Sequence, residues 1–233
     1  SRYAPLARPQ GGATLAALNR ARDEKRAVVL ATELQTGHTE LIHTDEAGTG
    51  VLAEAAKNAA RHDESASVEA EGSTWFLTVF NPPLDLAIIG AVHIAQPLAR
   101  MAALADYAVR IIDPRTAFAT EERFPGVALS HEWPDEALAV KPLTARSAIV
   151  ALTHDPKLDD PALTVALRSP AFYIGALGSK QTHARRLERL KDAGFSDAEL
   201  TRIHGPIGLK IGAKSPAEIA VSVLGEMTAT LRG

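Results

Sequence analysis

The chain has 233 residues, 46% hydrophobic and 23% charged, with 16 Gly and 14 Pro, a globular composition that excludes disordered and collagen-like classes. It has no Cys, so these residues supply no disulfide, thiolate zinc site, iron–sulfur ligand, cysteine nucleophile or persulfide carrier. The formal net charge of −3 speaks against nucleic acid as a partner, no apolar run reaches the ~20 residues of a membrane span, and Ser1–Arg8 lacks the apolar stretch of a secretory signal, so a cytoplasmic protein is expected.

In chain order, Leu15, Leu18 and Ala21 space a one-sided helix within the first 25 or so residues. Strands are predicted at Ala27–Thr32 and Thr39–Asp45, a helix at Val51–His62, and a hairpin of Ala66–Ala70 and Thr74–Phe80 around Glu71-Gly72-Ser73. Asn81-Pro82-Pro83 cannot continue a strand ladder, which places a domain boundary there and divides the chain into a small α/β N-terminal domain, 1–82, and a larger domain, 83–233.

The larger domain alternates strands and helices. Leu86–Gly90, Val109–Asp113, Val127–Ser130, Ala148–Thr153 and Ala171–Leu177 read as buried strands, and His93–Ala105 as a helix with Ile94, Leu98 and Met101 on one face. Asp160-Pro161 is predicted to open a helix, and Ser196–Glu199 and Ser215–Glu218 are capping boxes, the latter followed by the stripe Ile219, Val223, Met227. The alternation implies an α/β fold with a Rossmann-like parallel sheet.

Ligands of such sheets bind beyond the carboxyl ends of the strands. After the first strand, Gly90-Ala-Val-His93-Ile-Ala95 takes the place of a G-x-G-x-x-G turn, with Val92 at the second Gly. Asp113, 23 residues on, is placed to accept ribose hydroxyls, with Arg115 beside it. The turn suits either a nucleotide fragment or a purely structural βαβ connection. The fourth strand is followed by His154 and Asp155. The fifth runs into Gly175, Gly178, Ser179, Lys180, Thr182, His183, Arg185 and Arg186, where glycines, hydroxyls, cations and a helix start favour a phosphate over a plain helix cap. From Ser179 to Lys214 eight basic residues face four acidic ones. A third loop, His204–Lys214, holds Gly205, Pro206, Gly208 and Gly212 and is shaped for a ligand.

His93, His154, His183 and His204 lack metal-ligand spacing and fit dispersed hydrogen-bonding roles, while His38, His43, His62 and His131 read as surface or capping groups. No G-x-S-x-G elbow is present, which excludes the α/β-hydrolase mechanism.

At these loops the sequence resembles the xanthine dehydrogenase accessory factors, the XdhC/CoxI family. The residues that carry the likeness are Gly90–Leu98, Asp113-Pro-Arg115 with Phe118-Ala119, Thr153–Pro156, Tyr173–Ser179, Ile203–Gly208 and Ile211–Ser222. The resemblance covers about residues 84–233 and implies a small N-terminal domain before a Rossmann-like one. It implies binding of the molybdenum cofactor, as molybdopterin or its cytosine dinucleotide, and protection of that cofactor while a cysteine desulfurase supplies sulfur. It further implies transfer to an apo molybdenum hydroxylase, and a homodimer. Where members commonly carry Ser-Gly-Gly-Cys, the region around Asp45–Gly50 has no Cys. The cofactor-binding residues expected are Gly90, His93, Asp113, Arg115, His154, Asp155, Gly175, Gly178, Ser179, Lys180, Thr182, Arg185, His204, Gly205 and Gly208. Two other readings stand beside it: an NAD(P)-dependent oxidoreductase on the same sheet, and a docking protein without cofactor.

Overall fold

A computed structural model describes residues 11–233; the part of the predicted N-terminal helix region before residue 11 lies outside the described residues. The chain divides after Pro82 into two compact units.

The first unit runs α1 (Gly11–Asp23), β1 (Val28–Glu33), β2 (Thr39–His43), α2 (Val51–His62), β3 (Ala66–Ala70) and β4 (Ser73–Phe80). The strands pair antiparallel in the order β2-β1-β4-β3. Alternation along β1 and β4 turns Val29, Ala31, Trp75 and Leu77 toward Ala56, Ala59 and Ala60 of α2, where small side chains let the helix lie close to the sheet. On the other face Val28 meets Leu18 and Ala21 of α1.

The second unit comprises β5 (Leu84–Ile89), α3 (Ala95–Leu104), β6 (Tyr107–Ile112), β7 (Ala128–Ser130), α4 (Pro134–Val140), β8 (Ser147–Ala151), α5 (Pro156–Leu167), β9 (Tyr173–Ala176), α6 (Lys180–Asp192), α7 (Asp197–Leu200), β10 (Ile203–His204) and α8 (Pro216–Arg232). Its six strands are parallel in the order β10-β9-β8-β5-β6-β7, the Rossmann order, in which the direction of winding reverses between β5 and β8. Every residue of β5, β8 and β9 is buried, because helices cover both faces. Leu86 and Ile88 pack with Leu98 of α3 and Val223 and Met227 of α8 on one side. Ile89 and Ile149 pack with Leu138, Leu163 and Leu190 of α4, α5 and α6 on the other. Both predicted capping boxes form, at Ser196 and Ser215.

One predicted helix start is displaced. Asp160-Pro161 lies inside α5, which begins at Pro156 after Asp155, whose side chain accepts the Lys157 N–H at 3.0 Å. The Asp-Pro signal occurs twice within seven residues, and the upstream copy prevails because the apolar positions Leu158, Ala162 and Leu163 then share one buried face. The helix α4 and the two-residue strand β10 are additions to the predicted elements, both too short to leave a periodic signal.

Gly175 shows how tightly β9 is packed. A Cβ there would stand 2.4 Å from Ile207 Cδ1 and 2.7 Å from Tyr173 Cε1. Gly175→Ala is therefore expected to cost about 1–3 kcal/mol by overpacking. Urea denaturation should show the loss shrinking in an Ile207→Val background, which opens the same space; equal losses in both backgrounds would place the strain elsewhere.

Candidate functional site

The loops at the carboxyl edge of the parallel sheet gather at the β5/β8 reversal. The sharp exit from β5 needs Gly90, which has φ +101°, and whose added Cβ would meet Thr153 Cγ2 at 2.4 Å. This close approach brings the loops after β5 and β8 together. In the next position, the Ala91 N–H donates to Asp113 Oδ2 at 2.8 Å, fastening the same loop to the end of β6.

Asp113 is fully buried and accepts three further bonds, from the Arg115 N–H (3.0 Å), Nε (2.9 Å) and Nη2 (2.8 Å). Four donors use the acceptor capacity of a carboxylate, so the expected ribose acceptor is engaged by the chain itself. Burial pushes the Asp113 carboxyl up, but the Arg115 side chain and the backbone N–H groups of Ala91 and Arg115 outweigh it and hold it below the ordinary range. The group left facing outward is Arg115, partly exposed, its guanidinium 4.6 Å from the Phe118 ring. Val92 is half-buried against the core, and His93 is exposed.

The loop after β8 is held from below. Thr153 donates its Oγ1–H (2.6 Å) and N–H (3.3 Å) to Asp159 Oδ1. His154 follows in the left-handed region at φ 63°, and exposed, a conformation that costs a non-glycine residue energy and is concentrated at functional sites. Asp155 is occupied as the cap of α5.

The loop after β9 is built around Gly178 at φ +145°, where a Cβ would press on Thr182 at 3.1 Å and lie 3.8 Å from His154 Nδ1. Ser179 caps α6, accepting the Thr182 N–H at 3.1 Å and pairing hydroxyls with Thr182 at 3.0 Å. The N–H groups of Lys180 and Gln181 have no acceptor inside the helix and stand at its positive end. Lys180 and Arg185 are exposed.

Beneath this turn lies Arg186, only 1% exposed. It donates from Nη2 to the Leu177 carbonyl at 2.8 Å and stands 3.6 Å from Asp159 Oδ2; its Nε and Nη1, and Asp159 Oδ2, have no hydrogen-bond partner among the described residues. Burial lowers the pKa of Arg186 and raises that of Asp159. Burial and the neighbouring guanidinium also hold His183 below the usual imidazole value.

His183 links α6 to the third loop: a Cβ on Gly205 would fall 2.1 Å from its Nδ1, an atom without a partner among the described residues. Gly205-Pro206 is a cis peptide. His204 stacks on Tyr173 at 4.6 Å with its Nδ1 3.7 Å from Glu226 Oε1. Glu226 Oε2 also accepts the Tyr173 hydroxyl (2.6 Å) and the Gly208 N–H (2.8 Å). A Cβ on Gly208 would strike Ser222 Oγ at 2.4 Å. Gly175 and Gly208 thus serve packing, whereas Gly90 lies against Thr153, Gly178 against Thr182 and beside His154, and Gly205 against His183, so these glycines join successive loops of the sheet edge. Asp159 and Glu226 are absent from the sequence-predicted set, because a carboxylate on a helix gives no sign of which way it faces. Among the described residues, no group of three or more His, Cys, Asp or Glu is placed to hold a metal ion.

Two measurements test this architecture. Asp159→Asn or Arg186→Met alone is expected to cost about 3–5 kcal/mol by leaving a buried charge unmatched, and the double variant to recover about 1–3 kcal/mol of the summed loss. Strict additivity in urea denaturation would show that the two charges do not act on each other. On acidification, the lowered Asp113 pKa means that the unfolded chain binds the proton first. Its contribution is complete above the unfolded value of about 4 and is lost as pH falls through the folded pKa. Asp113→Asn should flatten the stability profile below about pH 4, and an unchanged slope would contradict the assignment.

The family profile described as XdhC Rossmann domain matches residues 86–227. The chain is 33% identical over 148 residues to the molybdenum cofactor insertion chaperone PaoD of Escherichia coli (strain K12), covering 64% of this chain and 40% of that protein. It is 33% identical over 156 residues to a probable xanthine dehydrogenase subunit of Bacillus subtilis (strain 168), covering 66% and 45% respectively. The chain therefore spans less than half the length of these curated relatives. A crystal structure of a xanthine dehydrogenase from Bacillus halodurans shares the fold, with a TM-score of 0.66 and 21% identity over 94% of this chain and 64% of the other. Since the profile match takes in more than half of the chain and all the loops just described, the chain belongs to the XdhC family.

Proposed function

We propose that the chain binds the molybdenum cofactor and acts in its maturation, protecting it during sulfuration and delivering it to an apo molybdenum hydroxylase of the xanthine or CO dehydrogenase type. The observation that carries this reading is the Gly178–Thr182 turn at the head of α6 with the buried, incompletely bonded Arg186 beneath it. A phosphate needs N–H donors, hydroxyls and a positive field at one point, and the turn offers all three. In a chain of this family, one of whose relatives is named a molybdenum cofactor insertion chaperone, that phosphate is the cofactor's.

The residues fit the group. Gly178 lets the backbone approach; Ser179, Lys180 and Thr182 take the phosphate, and Arg185 and Arg186 support its charge. Arg115, partly exposed while bonded to Asp113, takes the second phosphate or ribose of the cytosine dinucleotide form in this reading. His93, His154 and His204, with Asp155, offer hydrogen bonds to the pterin–molybdenum end. Asp113, Gly90 and Gly205 hold the loops in register for them. When bound, the cofactor supplies the redox chemistry of its client enzyme; the chain itself needs to shelter it and release it. With no Cys in these residues, sulfur comes from outside, and a cysteine desulfurase is the partner that supplies it. A homodimer and a cytoplasmic location go with this role; among the described residues no helix is long and apolar enough to cross a membrane. The NAD(P) oxidoreductase reading has the sheet order in its favour, but Val92 in the first turn and the engaged Asp113 weigh against it.

Anaerobic titration with isolated molybdenum cofactor, and in parallel with NADH, tests the proposal. Saturable cofactor binding is expected, weakened about tenfold or more by Lys180→Ala and by Gly178→Val, since each removes or displaces a charge-assisted contact. Unchanged binding in both variants would move the phosphate elsewhere, and NADH binding alone would replace the chaperone role with the oxidoreductase one.

A further inference from the structure

The loop that leaves β6 holds an exposed aromatic ring on a rigid support. Phe118 is 44% exposed, although Ala119 and Phe124 of the same loop are each only 2% exposed and anchored in the core. The Phe118 N–H donates to the Arg115 carbonyl at 2.9 Å, and its own carbonyl accepts Arg123 Nη1 at 2.6 Å. Arg123 is held in turn by Gln96 of α3, whose amide oxygen accepts its Nε and Nη2 at 3.0 Å each in the orientation that satisfies both groups. Two guanidiniums stand against the ring, Arg115 at 4.6 Å and Arg123 at 5.9 Å from its centroid. Burying this ring would contribute to stability, as Phe124 does. The loop instead fixes it outward, bonded at both its N–H and its carbonyl.

The place of the ring narrows its ligand. It follows β6, which neighbours β5 on the side away from β8, and in sheets of this order the carboxyl end of that strand takes the nucleoside half of a dinucleotide. Arg115 ties the ring to the β5/β8 reversal, since Asp155 and Asp159, at the start of α5, are close enough to act on its charge. Its Nε and Nη2 are bonded to Asp113, while Nη1 makes no hydrogen bond among the described residues. Asp113, so engaged, has no capacity left for ribose hydroxyls, and recognition falls to the flat base and the phosphate. An aromatic ring backed by a guanidinium stacks on any nucleobase, an interaction worth about tenfold or more in affinity. We infer that Phe118 is the base-stacking residue of a nucleotide subsite at the end of β6, with the nucleotide's phosphate on Arg115 Nη1. On the cofactor reading, from which the identity of the whole ligand is taken, Phe118 is then the residue that favours the dinucleotide form over molybdopterin.

Calorimetric titration of the full chain with CMP, GMP, AMP and ribose 5-phosphate tests the subsite. At least one nucleotide is expected to bind saturably, with ribose 5-phosphate, which lacks the base, weaker about tenfold or more. Phe118→Leu keeps an apolar side chain without the ring and should bring the nucleotide down to the affinity of ribose 5-phosphate, with circular dichroism unchanged. If Phe118→Leu disturbs the loop, Phe118→Trp decides: it should retain nucleotide binding, and its added indole emission should be quenched by the nucleotide but not by ribose 5-phosphate. Lys180→Ala, at the separate turn before α6, should leave nucleotide affinity unchanged. The inference is overturned if no nucleotide binds more tightly than ribose 5-phosphate, if Phe118→Leu leaves nucleotide affinity unchanged in a folded chain, or if Lys180→Ala weakens the nucleotide tenfold. Anaerobic titration with the two forms of the isolated cofactor separates this result from the cofactor reading. A preference for the dinucleotide form that is lost in Phe118→Leu supports both, whereas nucleotide stacking on Phe118 without binding of either cofactor form would uphold the subsite and overturn the cofactor reading.

Discussion

The buried pair of Asp159 and Arg186 is the joint on which the carboxyl edge of the parallel sheet depends. Asp159, on α5, holds the loop after β8 through the N–H and hydroxyl of Thr153; Arg186, on α6, holds the loop after β9 through the carbonyl of Leu177. The two charges face each other at 3.6 Å, both almost without solvent contact. Taking such groups out of water costs several kcal/mol each, and an apolar pair of the same volume would serve stability as well or better. What the ion pair adds is a fixed geometry, since each of its two partners also holds one of the loops, Thr153 through Asp159 and Leu177 through Arg186.

The glycines of the site are governed by the same requirement of close approach. Gly90 admits Thr153, Gly178 admits Thr182 and lies beside His154, and Gly205 admits His183. Each contact joins two different loops or a loop and a helix, so the edge behaves as one surface although its residues are scattered from position 90 to position 205. Val92 fits this arrangement. In a dinucleotide turn its position must be open for a pyrophosphate, but here its side chain packs on the core.

Family membership rests on the second unit, whose residues 86–227 match the XdhC Rossmann domain, while the likeness to the Bacillus halodurans structure extends over 94% of the chain. The first unit is an antiparallel sheet with the Ala-rich helix α2 on one face and α1 on the other. The chain has no Cys, so neither unit offers a thiol on which sulfur could be carried covalently.

Sequence reasoning reached the fold through patterns that are local. Uninterrupted apolar runs such as Leu86–Ile89 and Ala148–Leu152 identify strands buried on both faces, and the capping boxes at Ser196 and Ser215 mark helix starts, because periodicity and caps act over one or two turns. It also singled out Gly178–Arg186 from its glycines, hydroxyls and cations, and the structure sets that segment at the junction of β9 and α6 with Ser179 as the helix cap. It misplaced the start of α5, where two Asp-Pro signals competed and only the packing of Leu158, Ala162 and Leu163 chose between them. The roles of Asp113, Asp159, Arg186 and Glu226 were decided by the tertiary structure alone. A charged side chain reads the same in sequence whether it meets solvent, a ligand or a buried partner, and that outcome depends on groups brought near it by distant parts of the chain.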